Sequence, residues 1–253
     1  MFGGSAAGGR ATYTMKLVVV VPAFQAARHL SSVVARLLRA GPPGLGHVVI
    51  VDDGSTDDTS KVAGELARGG SPIELVVRDR NGGYGAAMKT GLGRARELGA
   101  DCVACVHADG QYSPEVLPDL LRALDDRRLD LVQGSRIAGG RARAGGMPTY
   151  KIAGNWLLGH LERRILGLAM TDFHSGYLVY GPRALAKLPF ARLSDSFDFD
   201  LEVIAACRAR GLAVREIPIP THYGDEISYL NPITYGLRVL RVLWRFKRGD
   251  YGT

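Results

Sequence analysis

The hydrophobic residues of the chain follow two spacings, one typical of buried strands and the other typical of helices. Short aliphatic runs predict strands. These runs occupy residues 16–21, 47–51, 73–77 and 102–106, and another begins at residue 131. Between them, apolar residues recur three and four positions apart, as at Leu30, Val33 and Leu37, which predicts helices. The alternation predicts a doubly wound α/β fold with parallel crossovers over roughly the first 135 residues.

The pattern changes beyond this region. Residues 137–148 are rich in glycine and arginine, which is typical of a basic loop beside a site. The spacing then predicts helices at residues 152–166 and 201–210 and strands at residues 177–180 and 214–219. No linker separates a second domain. We therefore expect a single α/β domain in which a mostly parallel, Rossmann-like sheet is flanked by helices.

The two ends of the chain differ from this domain. Residues 1–14 are rich in glycine and alanine and predict a flexible leader, and the domain is expected to span residues 15–230. Residues 231–253 predict a basic amphipathic helix, in which arginines recur at helical spacing opposite apolar residues. The arginines are Arg238, Arg241, Arg245 and Arg248, and the apolar residues are Leu237, Val239, Leu240, Leu243 and Trp244. Such a helix either lies on an anionic membrane surface or packs on its own domain with the arginines in water.

Composition narrows the class of protein. A chain of 253 residues with 46% hydrophobic and 23% charged residues is typical of a globular protein, which excludes a disordered or fibrous one. Three cysteines cannot form a disulfide framework, so we expect a reducing, cytoplasmic location. The net charge of +7 favours anionic partners. No nucleic-acid-binding module is recognisable in the sequence, and we expect no nucleic-acid partner.

Polar clusters follow the predicted strands. They occupy residues 22–25, 52–55, 81–85, 107–111 and 134–136. Because the carboxyl ends of parallel strands meet at one edge of the sheet, where ligands bind, we expect these clusters to converge. Two acidic clusters beside a basic loop suit a nucleotide diphosphate bridged by a divalent cation, which offsets the charge of the phosphates. Any one cluster taken alone is equally typical of an ordinary turn.

Taken in order, these motifs resemble the inverting family 2 glycosyltransferases of the GT-A fold. Within that family, the chain is most similar to the dolichyl-phosphate mannosyltransferase-like branch. The resemblance covers residues 16–225 and rests on four motifs. These are Val-Asp-Asp-Gly-Ser-Thr-Asp at residues 51–57, Asn-Gly-Gly-Tyr-Gly-Ala-Ala at residues 81–87, Asp-Gly-Gln at residues 109–111 and Gly-Ser-Arg at residues 134–136. A Walker-type phosphate loop and a dinucleotide fingerprint are both absent from the sequence.

The resemblance implies a nucleotide-sugar site and a metal site. The nucleotide-sugar residues are Pro22, Ala23, Phe24, Gln25, Asp52, Asp53, Gly82, Tyr84, His107, Ala108, Asp109, Arg136, Lys151 and His222. The metal ligands are Asp109 and Gln111, and the cofactor is Mg²⁺ or Mn²⁺. His107 stands where the family motif Asp-Ala-Asp-Gly-Gln has its first aspartate, which puts contacts to the donor in question. His107 either contacts the donor, shifting the metal preference toward Mn²⁺, or fills space at a strand end.

The resemblance also implies three catalytic candidates, Asp172, Asp198 and Asp200. Asp172 lies in a segment where donor sugar and acceptor meet, and it either binds sugar hydroxyls or acts as a general base. A base is needed only for a neutral acceptor, because a phosphate acceptor is already ionised at pH 7. Alternatively, Asp198 and Asp200 are residues at the N-terminus of a helix, where the macrodipole favours negative charge. His174 is either structural or a further titratable group.

The resemblance therefore implies an inverting, metal-dependent glycosyltransferase that uses a UDP- or GDP-linked sugar. The acceptor is a polyprenyl phosphate or a soluble small-molecule or carrier-bound intermediate, with peripheral contact at the inner face of the membrane in the first case. Two alternatives remain open: a catalytically degenerate nucleotide-sugar binding protein, which His107 makes conceivable, and a nucleotidyltransferase. A nucleotidyltransferase would carry a glycine-rich basic motif after the first strand, and residues 22–25 do not match one.

Overall fold

The computed structural model describes residues 15–69, 72–138, 149–220 and 232–252. The strands within these ranges are β1 (Leu17–Ala23), β2 (Leu45–Asp52), β3 (Ile73–Val77), β4 (Cys102–Cys105), β5 (Leu131–Ser135), β6 (Leu178–Tyr180) and β7 (Val214–Pro218). The helices are α1 (Ala27–Ala40), α2 (Thr59–Arg68), α3 (Tyr84–Glu97), α4 (Leu117–Asp126), α5 (Thr149–Leu166), α6 (Pro182–Lys187), α7 (Phe199–Ala209) and α8 (Pro232–Arg248). Short 3₁₀ turns lie at Pro114–Val116 and Phe190–Arg192.

The seven strands form one sheet in the order β3-β2-β1-β4-β6-β5-β7. Parallel pairing joins β1 to β2 and β4, β2 to β3, and β5 to β7, which confirms the predicted mostly parallel α/β sheet. Strand β6 is the exception, because it runs antiparallel to both of its neighbours, β4 and β5. The strand order reverses at β1, which lies between β2 and β4, and ligands bind at such a switch point in open α/β sheets.

Helices cover both faces of the sheet, because side chains of each strand point alternately to the two sides. On β1, Val18 and Val20 face a core shared with α3, α7 and α8, whereas Val19 and Val21 face a core shared with α1 and α4. Within β4, Cys105 lies in the first core and Cys102 in the second, and all three cysteines are unpaired and buried. In the described part of the chain, no helix is both long enough and apolar enough to cross a bilayer.

Helix α8 packs on the domain through Val239, Val242 and Leu243, which are buried in the core shared with α7. The C-terminal helix is therefore packed on the domain along one face, but its arginines are not all in water. Arg238 pairs with Asp198 at 3.2 Å, and Arg245 pairs with Glu202. Three of the apolar residues expected opposite the arginines are exposed instead: Leu237, Leu240 and Trp244.

Glu202 is the buried carboxylate that attaches α8 to α7. It is 1% exposed, accepts a hydrogen bond from Tyr251 Oη at 2.6 Å, and pairs with Arg245. A third hydrogen bond comes from the backbone N–H of Ser194. A buried carboxylate is tolerated only when its oxygens are paired in this way.

We therefore predict that Glu202→Ala lowers the free energy of unfolding by about 3 kcal/mol, because it leaves Arg245 and Tyr251 without their shared partner. Urea unfolding followed by circular dichroism measures the change. The matched control is Glu97→Ala, which removes an exposed partner of Arg94 and is expected to cost less than about 1 kcal/mol. Equal losses in the two variants would contradict the anchoring role of Glu202.

Candidate functional site

The loops that follow β1 and β2 are joined by the side chain of Gln25. This residue adopts a left-handed backbone conformation with φ of 52°. Its amide nitrogen Nε2 donates to Thr56 Oγ1 at 2.7 Å, and its oxygen Oε1 accepts from the N–H of Asp57 at 3.2 Å. Both ends of the amide are therefore used to hold the loops together. Of the other residues predicted in the first loop, Pro22 and Phe24 are half-buried and Ala23 is buried.

Asp52 and Asp53 are both buried at the end of β2, and both accept hydrogen bonds from the chain. Asp52 accepts from the N–H of Ser55 at 3.0 Å and from the hydroxyl of Ser60. Asp53 accepts from the N–H of Gly83 at 2.8 Å and from that of Gly82 at 3.1 Å. It also pairs with Arg78. Asp53 thus connects the first acidic motif to the glycine-rich entrance of α3, as expected if the motifs share one edge of the sheet.

A group beside this entrance contains the half-buried side chains of Tyr84 and His107 and the buried Asp200. Tyr84 Oη donates to Asp200 Oδ1 at 3.1 Å, and the rings of Tyr84 and His107 lie 5.3 Å apart. Burial raises the pKa of Asp200 to about 7, and the hydrogen bond from Tyr84 opposes part of that rise. Burial also lowers the pKa of His107, against the opposing charge of Asp109. The buried environment therefore favours the uncharged form of both side chains.

Gly176 makes room for His107. A Cβ atom at position 176 would lie 2.2 Å from His107 Nε2 and 3.1 Å from Asp200 Oδ2, so a larger residue would clash with the imidazole. Within the described residues, His107 Nε2 makes no hydrogen bond of normal geometry. The imidazole therefore fills the space between Gly176, Tyr84 and Tyr112, whose ring lies 5.2 Å from its own.

Asp109 and Gln111 lie after β4, with the buried Ala108 before them. Asp109 Oδ1 accepts a hydrogen bond from the N–H of Gln111 at 2.9 Å, which fixes a turn. Their remaining side-chain oxygens form no hydrogen bond to the residues that the structure describes. Carboxylate and amide oxygens are donors that Mg²⁺ and Mn²⁺ accept. No group of three His, Cys, Asp or Glu side chains in the described ranges is arranged to hold a metal. An ion bound by Asp109 and Gln111 would need further ligands, such as substrate phosphates and water.

Arg136 and Asp172 form a bidentate ion pair at the end of β5. Arg136 Nε donates to Asp172 Oδ2 at 2.8 Å, and its Nη2 donates to Oδ1 at 2.9 Å. Asp172 is 1% exposed. Burial alone would raise the pKa of Asp172, but the charge and hydrogen bonds of Arg136 outweigh it, so the pKa lies below its ordinary value. An ionised, doubly paired carboxylate is a poor proton acceptor, which favours a positioning role for Asp172 over the predicted alternative of a general base.

Glu216 of β7 holds the segment that carries Asp172. Its Oε1 accepts from the N–H of Thr171 at 2.8 Å, and its Oε2 accepts from the N–H of Asp172 at 3.1 Å. Glu216 is not among the site residues predicted from the sequence. Its partners lie about 45 positions away along the chain, and a single acidic residue in a short strand gives no local signal.

His174 joins two helices to the same segment. Its backbone N–H donates to Asp172 Oδ1 at 3.0 Å, its Nδ1 lies 2.9 Å from Tyr235 Oη of α8, and its Nε2 lies 3.4 Å from Glu162 Oε2 of α5. Glu162 is fully buried. This arrangement favours the structural alternative for His174, since the ring contacts α5 and α8.

The remaining predicted residues are not all in this group. Asp198 accepts a hydrogen bond from Ser194 Oγ at 2.8 Å and pairs with Arg238 of α8, whereas Asp200 accepts from Tyr84, so the structure separates the two carboxylates. A catalytic role for Asp198 stays a prediction, and this geometry does not favour it. Lys151 lies in α5, but its side chain is outside the described part of the structure, and His222 lies outside the described residues altogether.

The charges of the site act on one another across loops that are distant in sequence. Those of Asp109 and Arg136 both shift the pKa of His107, and those of Arg136, Asp172 and Asp109 all act on Tyr112. The charges of the loops after β4 and β5 therefore act on the same side chains, as expected if these loops share one sheet edge. A cation beside two oxygen donors is an arrangement that binds a diphosphate.

Comparison with known proteins agrees with this description. The family model for glycosyl transferase family 2 matches residues 18–188. The chain is 27% identical over 246 residues to a UDP-N-acetylglucosamine–dolichyl-phosphate N-acetylglucosaminyltransferase of Methanococcus voltae, which covers 92% of this chain and 96% of the relative. It is 30% identical over 209 residues to a polyprenol monophosphomannose synthase of Mycolicibacterium smegmatis, which covers 81% of this chain and 77% of the relative.

A solved structure has the same fold. Glucosyl-3-phosphoglycerate synthase of Mycobacterium tuberculosis, crystallised with Mn²⁺, UDP and glucosyl-3-phosphoglycerate, matches with a TM-score of 0.68 and 20% identity, over 92% of this chain and 80% of that one. At this identity the likeness shows the GT-A fold alone, which confirms the fold implied by the motifs.

The raised pKa of Asp200 leads to a prediction about stability. A folded-state pKa near 7 means that the free energy of unfolding falls as pH rises from the ordinary carboxyl range to about 7. Asp200→Asn removes this ionisation, so we predict that the variant is more stable than the wild type at about pH 8, by up to about 4 kcal/mol, and that the difference shrinks toward pH 5. Urea unfolding across this pH range measures it. A difference that does not vary with pH would show that Asp200 does not titrate in the folded state.

Proposed function

The chain belongs to glycosyl transferase family 2, and we propose that it transfers a sugar from a UDP- or GDP-linked donor to a polyprenyl phosphate, with inversion at the anomeric carbon. The observation that carries the proposal is the position of Arg136 at the same sheet edge as the oxygen donors of Asp109 and Gln111. The names of the two curated relatives, which act on dolichyl or polyprenol phosphates, support the acceptor class.

In the proposed reaction, a phosphate oxygen of the acceptor attacks the anomeric carbon while the bond to the nucleoside diphosphate breaks on the opposite face. The leaving diphosphate gains negative charge, and a fixed cation near it lowers the barrier. We assign this role to Arg136 and assign to Asp172 the task of holding the guanidinium in place. The acceptor phosphate needs no general base, because it is ionised at neutral pH. Catalytic roles for Asp198 and Asp200 therefore stay separate predictions.

Mg²⁺ or Mn²⁺ bound by Asp109 and Gln111 would neutralise part of the charge of the diphosphate. For the nucleotide we propose the loop of Pro22, Ala23, Phe24 and Gln25 together with Asp52, Asp53, Gly82, Tyr84, His107 and Ala108. Gln25 and Asp53 act mainly by holding these loops, since their side chains bond to the chain. Lys151 and His222 remain part of the proposal on the resemblance alone.

The proposed acceptor determines where the protein would act. A polyprenyl phosphate lies in a bilayer, so the protein would meet it at the membrane surface as a peripheral protein. The cytoplasmic side stays a prediction from the unpaired cysteines. A soluble small-molecule or carrier-bound acceptor is the alternative.

A second candidate function is favoured by one specific observation. The first position of the metal motif is an aspartate in the family but His107 in this chain. The imidazole of His107 packs against Gly176. A protein that binds a nucleotide sugar without turnover would be consistent with that packing.

The direct test is transfer of labelled sugar from UDP- and GDP-sugars into an organic-extractable polyprenyl phosphate, with Mn²⁺, with Mg²⁺ and with EDTA. Label in the lipid with either metal and none with EDTA supports the proposal. Donor binding without transfer to lipid or to soluble acceptors supports the binding protein. Transfer that persists in EDTA removes the metal from the proposal.

For the metal site, we predict that Asp109→Ala abolishes the Mn²⁺-dependent part of UDP or GDP binding, a loss of about tenfold or more in affinity, because one of two protein ligands is gone. Isothermal titration with and without Mn²⁺ measures it. The control is Asp101→Ala, which removes a carboxylate just before β4, away from the motif. Metal-dependent affinity that is unchanged in Asp109→Ala would remove Asp109 from the site.

For the ion pair, we predict that Arg136→Lys lowers kcat by roughly 100-fold with little change in the KM for the donor. The reason is that lysine lacks the planar guanidinium that donates two parallel hydrogen bonds to the diphosphate. Asp172→Asn should lower kcat by a smaller factor, and the double variant should be no worse than Arg136→Lys, since Asp172 acts through Arg136. Steady-state kinetics measures all three. Losses that multiply in the double variant would mean that Asp172 contacts the substrates independently.

A further inference from the structure

Most of the large apolar side chains that are exposed lie on two helices. Among the described residues, seven large hydrophobic residues are exposed, and five of them belong to α5 and α8. These five are Trp156 and Leu157 on α5, at 66% and 65% exposure, and Leu237, Leu240 and Trp244 on α8, at 64%, 48% and 56%. The two helices contact each other on the same face of the sheet. Apolar side chains concentrated in one place on a surface mark an interaction site.

Helix α8 carries three parallel stripes of side chains. Positions three, four and seven apart share one face of a helix. The buried stripe is Val239, Val242 and Leu243, the arginine stripe is Arg238, Arg241 and Arg245, and the exposed apolar stripe is Leu237, Leu240 and Trp244. A helix packed on its domain needs only the first stripe to be apolar. Within the described parts of the domain, the packing of α8 therefore does not account for the exposed apolar stripe.

The arginine stripe lines a cavity between α7 and α8. This cavity has a volume of about 320 Å³ and is lined by four arginines and two acidic residues, which leaves an excess of two positive charges. The two acidic residues, Asp198 and Glu202, are paired with Arg238 and Arg245. The other two arginines are Arg192 and Arg241, which are exposed and form no ion pair within the described ranges. The cavity therefore has cationic groups available for an anion.

Outside the core, the charged residues of α5 and α8 are all basic. Helices α5 and α8 contain one acidic residue between them, Glu162, and it is fully buried. Their exposed basic residues include Arg164, Arg241, Lys247 and Arg248, and the guanidinium of Arg248 lies 4.5 Å from the ring centre of Trp244. Tryptophan beside arginine is typical of side chains at a lipid–water interface.

We propose that the apolar face of α5 and α8 inserts into the surface of an anionic bilayer, with the phosphates of lipid headgroups received by Arg192 and Arg241 at the cavity beside α8. The inference extends the proposed function by naming the surface that brings the site to a lipid acceptor. A second copy of the chain is a less suitable occupant, because a self-complementary interface would bring two basic faces together with no exposed acidic group on either helix to pair with them.

The test is sedimentation with vesicles in the absence of donor and acceptor, using phosphatidylcholine alone and a phosphatidylcholine–phosphatidylglycerol mixture. We expect the wild type to bind the anionic mixture more tightly. Leu240→Ser/Trp244→Ser should lower vesicle affinity at least about tenfold, because two apolar side chains are no longer transferred from water into the bilayer. Arg192→Gln/Arg241→Gln should lower affinity for the anionic vesicles by roughly tenfold and leave binding to neutral vesicles unchanged.

Matched controls lie elsewhere on the chain. Val77→Ser removes an equally exposed apolar side chain from β3 at the far edge of the sheet, and Arg39→Gln/Arg122→Gln removes two positive charges from the other helical layer. Neither should change vesicle binding. Thermal melting of every variant checks folding, and only variants with the melting temperature of the wild type are compared.

Three results would overturn the inference: no vesicle binding by the wild type, equal losses in the controls, or a dimer that Leu240→Ser/Trp244→Ser dissociates while vesicle binding persists. Transfer to a water-soluble short-chain polyprenyl phosphate separates this inference from the proposed function. If Leu240→Ser/Trp244→Ser retains that activity but loses activity on vesicle-embedded acceptor, both stand. If the wild type binds vesicles and transfers sugar to neither acceptor, the proposed function is wrong, and the inference that α5 and α8 form a membrane-binding face still stands.

Discussion

The carboxylate of Asp172 is the group on which the geometry of the site depends. It is almost completely buried, so its charge is tolerated only because its oxygens accept hydrogen bonds from Arg136 and from the backbone N–H of His174. The N–H groups of its own segment are held by Glu216 of β7. Through the ring of His174 the same segment contacts α5 and α8. One buried charge therefore fixes the relative positions of Arg136, a sheet edge and two helices.

Much of the fold could be predicted from local pattern, because long buried strands and amphipathic helices have strong periodic signals. The parallel strands β1 to β5 lie close to their predicted ranges. The antiparallel direction of β6 could not be predicted, since three residues of strand contain no information about their neighbours. Helix α6 was not predicted because six residues are too few for helical periodicity to be visible. The helix predicted at residues 201–210 begins earlier, at Phe199, after acidic Asp198.

The candidate site was predictable as a set of loops but not as a set of contacts. The loops after β4 and β5 converge because parallel strands present their carboxyl ends at one edge. The partners of individual side chains depend on long-range packing, so the motif that carries Arg136 did not indicate that Asp172 holds its guanidinium. The same limit applies to α8: its spacing shows that it is amphipathic, but only the packed structure shows which apolar residues face the core and which face outward.

The strand order has a consequence for the order in which the chain folds. Strands β1 to β4 pair with one another, so the first half of the sheet has its neighbours once residue 105 has been synthesised. Strand β5 is different, because it pairs with β6 and β7 and not with β4, and both of those strands are made after it. Until then both edges of β5 have unpaired backbone groups, the condition that favours pairing with another chain. Arg136, at the end of β5, thus belongs to the last part of the sheet to close, while the loop of Asp109 and Gln111 after β4 belongs to the first.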